Sequence, residues 1–136
     1  MLIEVSNYIS KIDPYQGGKP IKEVAREIGI PEEKIIKLAS NENPMGISPF
    51  AKKAINDASS EIHRYPDGNG YYLKEALSKK FLLDTRQIII GNGSNDILEL
   101  AARTFVSKGE QVLYSEHAFA VYKIVSQAVG GEGIEA

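Results

Sequence analysis

Three features of this sequence predict an α/β fold built on a parallel sheet. From Gln87 onward, short apolar runs alternate with amphipathic helical patterns, the order that makes strand–helix–strand crossovers. A glycine-bearing turn, Gly91-Asn92-Gly93-Ser94, joins the first of these runs to a helix. The composition, 43% hydrophobic and 25% charged over 136 residues, supplies one domain's worth of core with a solvated surface.

The elements follow in chain order. Leu2, Val5, Ile9 and Ile12 are spaced to line one face of a short helix that Pro14 would end. After Gly17-Gly18, a helix from Pro20 to Ile28 sets Ile21, Val24, Ala25 and Ile28 on one side, with Pro20 suited to the first turn. Residues 35–39 read as a short strand, followed by the turn-rich Ser40-Asn41-Glu42-Asn43-Pro44. Ser48-Pro49 reads as the N-cap and first residue of a helix to about Ile62. Beyond the turn residues 65–70, a helix from Tyr71 to Phe81 is expected to bury Leu73, Ala76 and Leu77. Then come a buried strand over Gln87 to Ile90, a helix over Asn95 to Ser107 and a strand over Gln111 to Tyr114. A helix over Ala118 to Val129 follows, and Gly133 to Ala136 opens a further strand. So few strands make a meagre parallel sheet, and the sequence reads as incomplete.

The net charge of −2, from 16 basic and 18 acidic residues, gives no electrostatic reason to expect nucleic acid or an anionic membrane as partner. No apolar run approaches the roughly 20 residues that span a bilayer, and the first residues lack the pattern of a signal peptide. Without cysteine there is neither a disulfide framework nor a thiolate nucleophile, which fits a cytoplasmic protein. His63 and His117 follow no metal-ligand spacing, so no metal site is expected.

The segment Ile88-Ile89-Ile90-Gly91-Asn92-Gly93-Ser94-Asn95-Asp96 is the most informative in the chain. Glycines let the backbone turn tightly and approach a ligand without a Cβ in the way. Ser94, or Asn95, is placed to cap the following helix, whose first N–H groups and dipole would favour an anion such as phosphate. An ordinary strand-to-helix connection explains the same residues. The segment is neither a P-loop nor a complete G-x-G-x-x-G fingerprint, since position 96 is Asp.

Four segments, in order, resemble a known family. They are Leu38-Ala39-Ser40-Asn41-Glu42-Asn43-Pro44, Arg64-Tyr65-Pro66-Asp67, Gly91 to Asp96, and Glu116-His117-Ala118-Phe119-Ala120-Val121-Tyr122. Their content and spacing resemble the histidinol-phosphate aminotransferases, fold-type I enzymes that use pyridoxal 5'-phosphate. Pro14-Tyr15-Gln16-Gly17-Gly18 is similar to that family's N-terminal segment, so the likeness spans nearly the whole chain.

The resemblance implies the N-terminal portion of a fold-type I transferase. Residues 1–45 would be an arm with part of a small domain, and residues 46–136 an incomplete cofactor-binding large domain. It assigns Gly93, Ser94 and Asn95 to the cofactor phosphate, Phe119 to the face of the pyridine ring, and Tyr65 to the phosphate of a neighbouring subunit in a homodimer. Tyr15 and Asn43 match positions beside the amino-acid substrate. Where the family carries Asp-Glu this chain has Asn95-Asp96, a departure that bears on side-chain contacts and leaves backbone contacts in place.

The implied reaction exchanges an amino group between histidinol phosphate and 2-oxoglutarate, a step of histidine biosynthesis. The lysine, carboxylate and arginine it requires come after the ring-stacking segment in the family, so no catalytic residue is assigned within this chain and the chain alone is expected to be inactive. Ser78-Lys79 lies in a helical pattern and reads as a solvent-facing lysine rather than the family's serine–lysine pair. An aromatic aminotransferase, a threonine-phosphate decarboxylase, and a non-catalytic fragment keeping a phosphate-binding turn and dimer contacts stand as alternatives.

Overall fold

The computed structural model describes residues 4–136. Leu2, placed above on the first helical face, lies outside them. The chain forms two compact units. One holds residues 16–68. The other joins residues 69–136 to the N-terminal residues through Tyr15.

In the second unit the alternating pattern becomes a βαβ core. Strand β1 (Gln111–Tyr114) pairs in parallel with β2 (Glu132–Glu135), Val112 facing Gly133 and Leu113 facing Ile134. Helix α6 (Val121–Ala128) makes the crossover and packs on both strands. Helix α5 (Ser94–Phe105) lies against α6, and the buried residues of the described chain, Ala102, Val121 and Ser126, sit on these two helices. Ser126 can be buried because its hydroxyl donates to the Tyr122 carbonyl at 2.7 Å, leaving no orphan polar group. Helix α4 (Tyr71–Phe81) has the bounds read from sequence. Its C-terminus is closed by Leu82, whose left-handed conformation (φ 55°) turns its N–H onto the Ser78 carbonyl. The Ser78 hydroxyl donates to the Leu83 carbonyl. Lys79 points to solvent, so this Ser-Lys pair is a helix terminus.

Three sequence expectations in this unit are corrected. Residues 87–90 are not a strand: Gln87 ends a 3₁₀ turn, Ile88 has extended backbone but no neighbouring strand pairs with it, and Ile89 is 74% exposed. An apolar run fixes a preference for extension, whereas a strand also requires a partner edge. The N-terminal helix shrinks to the single turn α1 (Asn7–Ser10), too short to carry an apolar face. On α4, Leu73 and Ala76 are exposed and Leu77 only half-buried, because no element of the unit covers that side.

The other unit carries α2 (Ile21–Ile28) and α3 (Pro49–Ala58). α2 packs against a 3₁₀ turn at Glu32–Lys34 and ends on Gly29. Ser48 and Pro49 start α3 as expected, but its last turn tightens into a 3₁₀ segment at Ser59–Glu61. Residues 35–39 form no strand, although Ile35 is extended, again because no edge is present to pair with. Among the described residues no helix is long and apolar enough to cross a membrane, and no group of three metal-ligating side chains occurs.

Candidate functional site

The path to the glycine turn is set by local bonds that begin at Asp84. Its carboxylate accepts the Arg86 N–H at 2.8 Å, and its own N–H donates to Gln87 Oε1 at 2.9 Å, a reciprocal capping box around the 3₁₀ turn Thr85–Gln87. Arg86 Nη2 lies 2.9 Å from Asp84 Oδ2, and these contacts with Arg86 hold the Asp84 carboxyl below the usual carboxylate range. Residues 88–90 then run past the start of α4, where Ile90 packs on Gly70 so closely that a Cβ there would stand 2.7 Å from Ile90 Cδ1. Sequence reading passed over this capping box, though Asp84-Thr85-Arg86-Gln87 has the spacing of one.

The turn itself differs from expectation in one respect. Gly93, not Ser94 or Asn95, is the N-cap of α5, and Ser94 is its first helical residue. Gly93 holds φ 103° and ψ 175°, which a side chain would strain, so the helix can begin one residue earlier than a serine cap would allow. No side chain caps α5. Its first N–H groups therefore have no intrahelical partner, and Gly93, Ser94 and Asn95 are all exposed. Asp96 turns back instead of lying along the helix front: its Oδ2 accepts the Asn92 N–H at 3.1 Å. A Cβ on Gly91 would meet that same oxygen at 2.8 Å and Ile97 Cδ1 at 2.9 Å, so a glycine is what lets the carboxylate fold under the turn.

Phe119 follows β1 by a short turn and precedes α6, with Tyr122 N–H donating to its carbonyl at 3.0 Å. It therefore lies beyond the carboxyl end of a parallel strand, where ligands of such sheets collect. Phe119 is 42% exposed, and its ring meets the ring of Tyr15 edge to face, centroids 5.5 Å apart. The structure thus brings together two of the residues named from sequence. Nothing local in the sequence pointed to that contact.

Asn43 and Tyr65 belong to the other unit. The Asn43 amide is engaged in its own turn, accepting from Met45 N–H and donating to the Gly46 carbonyl, each at 3.0 Å. One amide proton and one lone pair remain for a ligand. The preceding residues Ser40 and Asn41 both take positive φ, 73° and 47°, a strained pair that sequence reading did not detect. Tyr65 is 101% exposed, its ring held by nothing in its own unit.

Within the unit of residues 69–136, Gly93, Ser94, Asn95 and Phe119 fit pyridoxal 5'-phosphate by their chemistry. An uncapped helix start on a glycine turn offers N–H donors to a phosphate, the nearest carboxylate is engaged beneath the turn, and Phe119 keeps accessible surface for a flat ring.

No family model matches the chain. Among characterised proteins, a histidinol-phosphate aminotransferase of Nitrosospira multiformis is 58% identical over 127 residues, covering 93% of this chain and 32% of its own length. One from Pseudomonas aeruginosa is 54% identical over 125 residues, covering 92% of this chain and 34% of its own. The chain is similar to the N-terminal third of these histidinol-phosphate aminotransferases. It spans about a third of the length of the relatives it matches. The solved histidinol-phosphate aminotransferase from Sinorhizobium meliloti, in complex with pyridoxal-5'-phosphate, shares its fold with a TM-score of 0.79 at 23% identity, over 100% of this chain and 35% of that one. The architecture is accordingly the N-terminal portion of a fold-type I transferase, helix-rich with a small parallel sheet.

Proposed function

We propose that this chain is the cofactor-phosphate and substrate-entry portion of a pyridoxal-phosphate-dependent aminotransferase that interconverts histidinol phosphate and 2-oxoglutarate with imidazole-acetol phosphate and glutamate. The carrying observation is the start of α5 on Gly93, with no side chain capping it and its first residues exposed. Backbone donors of Gly93, Ser94 and Asn95 would hold the phosphate, with the dipole of a 12-residue helix behind them. Phe119 would pack on the pyridine face, fix the ring plane and exclude water from one side. Tyr15, already against Phe119, would border the substrate beside that ring, and Asn43 would give its remaining amide proton to the substrate. Tyr65, free of its own unit, would donate its phenolic hydrogen to the phosphate of a second subunit, which makes the protein a homodimer. When bound, the cofactor supplies an electron sink that makes the substrate's carbon–hydrogen bond acidic.

On this reading residues 1–45 serve as an arm with part of a small domain and residues 46–136 as part of the large cofactor domain. A cytoplasmic location suits a biosynthetic enzyme of this composition. The test is direct: the complete protein carrying this sequence should bind pyridoxal phosphate and transfer the amino group of histidinol phosphate to 2-oxoglutarate. The 136-residue chain should form no borohydride-reducible adduct at one defined lysine. A complete protein that does not bind the cofactor would refute the reading.

A further inference from the structure

The N-terminal segment is fastened at two points, on α6 and on the turn before it. Toward the C-terminal end of α6, Gln127 Nε2 donates to the Tyr8 carbonyl at 3.1 Å, across 119 positions of sequence. Beside this bond the Lys108 ammonium lies 5.8 Å from the Tyr8 ring centroid. Gly130 closes the same spot, for a Cβ there would stand 3.2 Å from Lys108 Cγ and 3.6 Å from Tyr8 Cζ. Before the N-terminal end of α6, Tyr15 meets Phe119. Between the two points α1 packs on α6, and the backbone is tied by Ser10 N–H to Ser6 O at 3.1 Å and Ile12 N–H to Ile9 O at 3.1 Å. Pro14, with its fixed φ, then leads into Tyr15. Residues 8–15 thus run from one fastening point to the other.

We propose that Gln127 is a positioning residue: its amide, seconded by Lys108, fixes the path of the N-terminal segment along α6 and thereby holds Tyr15 against Phe119 for substrate binding. This rests on the functional reading of Tyr15 and Phe119 given above. Gln127 and Lys108 meet the segment at Tyr8, whereas Tyr15 pairs with Phe119 at its other end.

The test uses the complete protein. Gln127→Met keeps the methylene stem and removes the donor; Lys108→Met removes the cation, and serves as the second variant should the first fail to fold. Losing one part-buried hydrogen bond should speed amide exchange in residues 4–15 about fivefold while α6 exchanges as before. The KM for the amino-donor substrate should rise by a similar factor, with kcat and cofactor affinity within about twofold of wild type. Added to Tyr15→Ala, Gln127→Met should raise KM no further. Unchanged exchange in residues 4–15 would overturn the proposal, as would faster exchange with an unchanged KM. A wild-type protein that neither binds pyridoxal phosphate nor turns over would sink the functional reading and the substrate half of this inference. The exchange measurement decides on its own whether Gln127 holds the segment.

Discussion

Tyr15 and Phe119 meet at 80° with ring centroids 5.5 Å apart, a T-shaped pair that joins the N-terminal segment to the residues following β1. An edge-to-face pair is worth about 0.5–1.5 kcal/mol beyond the area it buries. Both rings keep substantial exposure, so the contact holds them together without sealing either away from a ligand. A double-mutant cycle with Tyr15→Ala and Phe119→Ala, followed by chemical denaturation of the complete protein, should return a coupling energy of about that size. Tyr15→Phe retains the ring edge and should retain the coupling. Additive single losses would mean the rings merely adjoin.

The glycine turn supports a second set of expectations, in which charge and geometry separate. Gly93→Ala places a side chain at φ 103°, a strain of about 1–3 kcal/mol, and should weaken pyridoxal phosphate binding about ten- to hundredfold in an absorbance titration. Asp96 would act on a phosphate bound at this turn in two opposed ways. Its carboxylate repels an anion at the helix start, an effect of about 0.3–1 kcal/mol. It also accepts the Asn92 N–H at 3.1 Å, and a charge-assisted bond of this kind is worth about 1.5–3 kcal/mol before its exposure is discounted. Asp96→Asn keeps an acceptor and drops the charge, so it should bind the cofactor slightly more tightly. Asp96→Ala loses both and should bind more weakly, because the ordered turn outweighs the repulsion. Equal affinities for the two variants would show that the Asn92 bond does not shape the turn.

What was legible in the sequence follows from the range of the interactions involved. α4 has the bounds its pattern predicted, and β1 its four residues, because turn residues and apolar spacing act over a few positions. Residues 88–90 failed as a strand for the opposite reason: pairing depends on a neighbour that local pattern does not contain. Ser94 was displaced as the cap by Gly93, since a serine's side chain signals a helix start while a glycine's backbone freedom allows one a residue earlier. The glycine turn and Phe119 could be named from motif likeness. That Tyr15 leans on Phe119, and that Gln127 ties down Tyr8, are long-range facts with no local signature.

The capping box before the turn carries a pH dependence whose sign is fixed. Arg86 lowers the Asp84 carboxyl pKa in the folded chain, so its contribution is fully present above the ordinary carboxylate value and is lost as pH falls through the lowered one. The group is exposed, and the effect should therefore be local rather than global. Titrating the Asp84 carboxyl by NMR should give a midpoint below that of an unpaired aspartate, and Arg86→Gln should bring it back up. Amides of residues 85–88 should exchange faster once the carboxyl is protonated. A midpoint at the ordinary value would remove the box as a determinant of the turn.

The exposed apolar surface bears on association, and its size decides between two ways of covering it. The chain exposes 11950 Å². A folded monomer of 14.9 kDa exposes about 7,000 Å², so roughly 5,000 Å² is in excess. The excess includes Phe50 and Ile62, 87% and 81% exposed, as well as Tyr65. A standard interface covers about 800 Å² on each partner, and even large obligate interfaces cover about 2,500 Å². A second copy of the chain would cover part of it, and on the reading proposed above further sequence packing on β1, β2 and α4 would cover the rest. The isolated 136-residue polypeptide should accordingly melt without a cooperative transition, bind a hydrophobic dye and scatter as a mixture of associated species. The complete protein should melt cooperatively and scatter as a homodimer. A sharp two-state melt from a monodisperse monomer of the isolated chain would show that these surfaces need no partner.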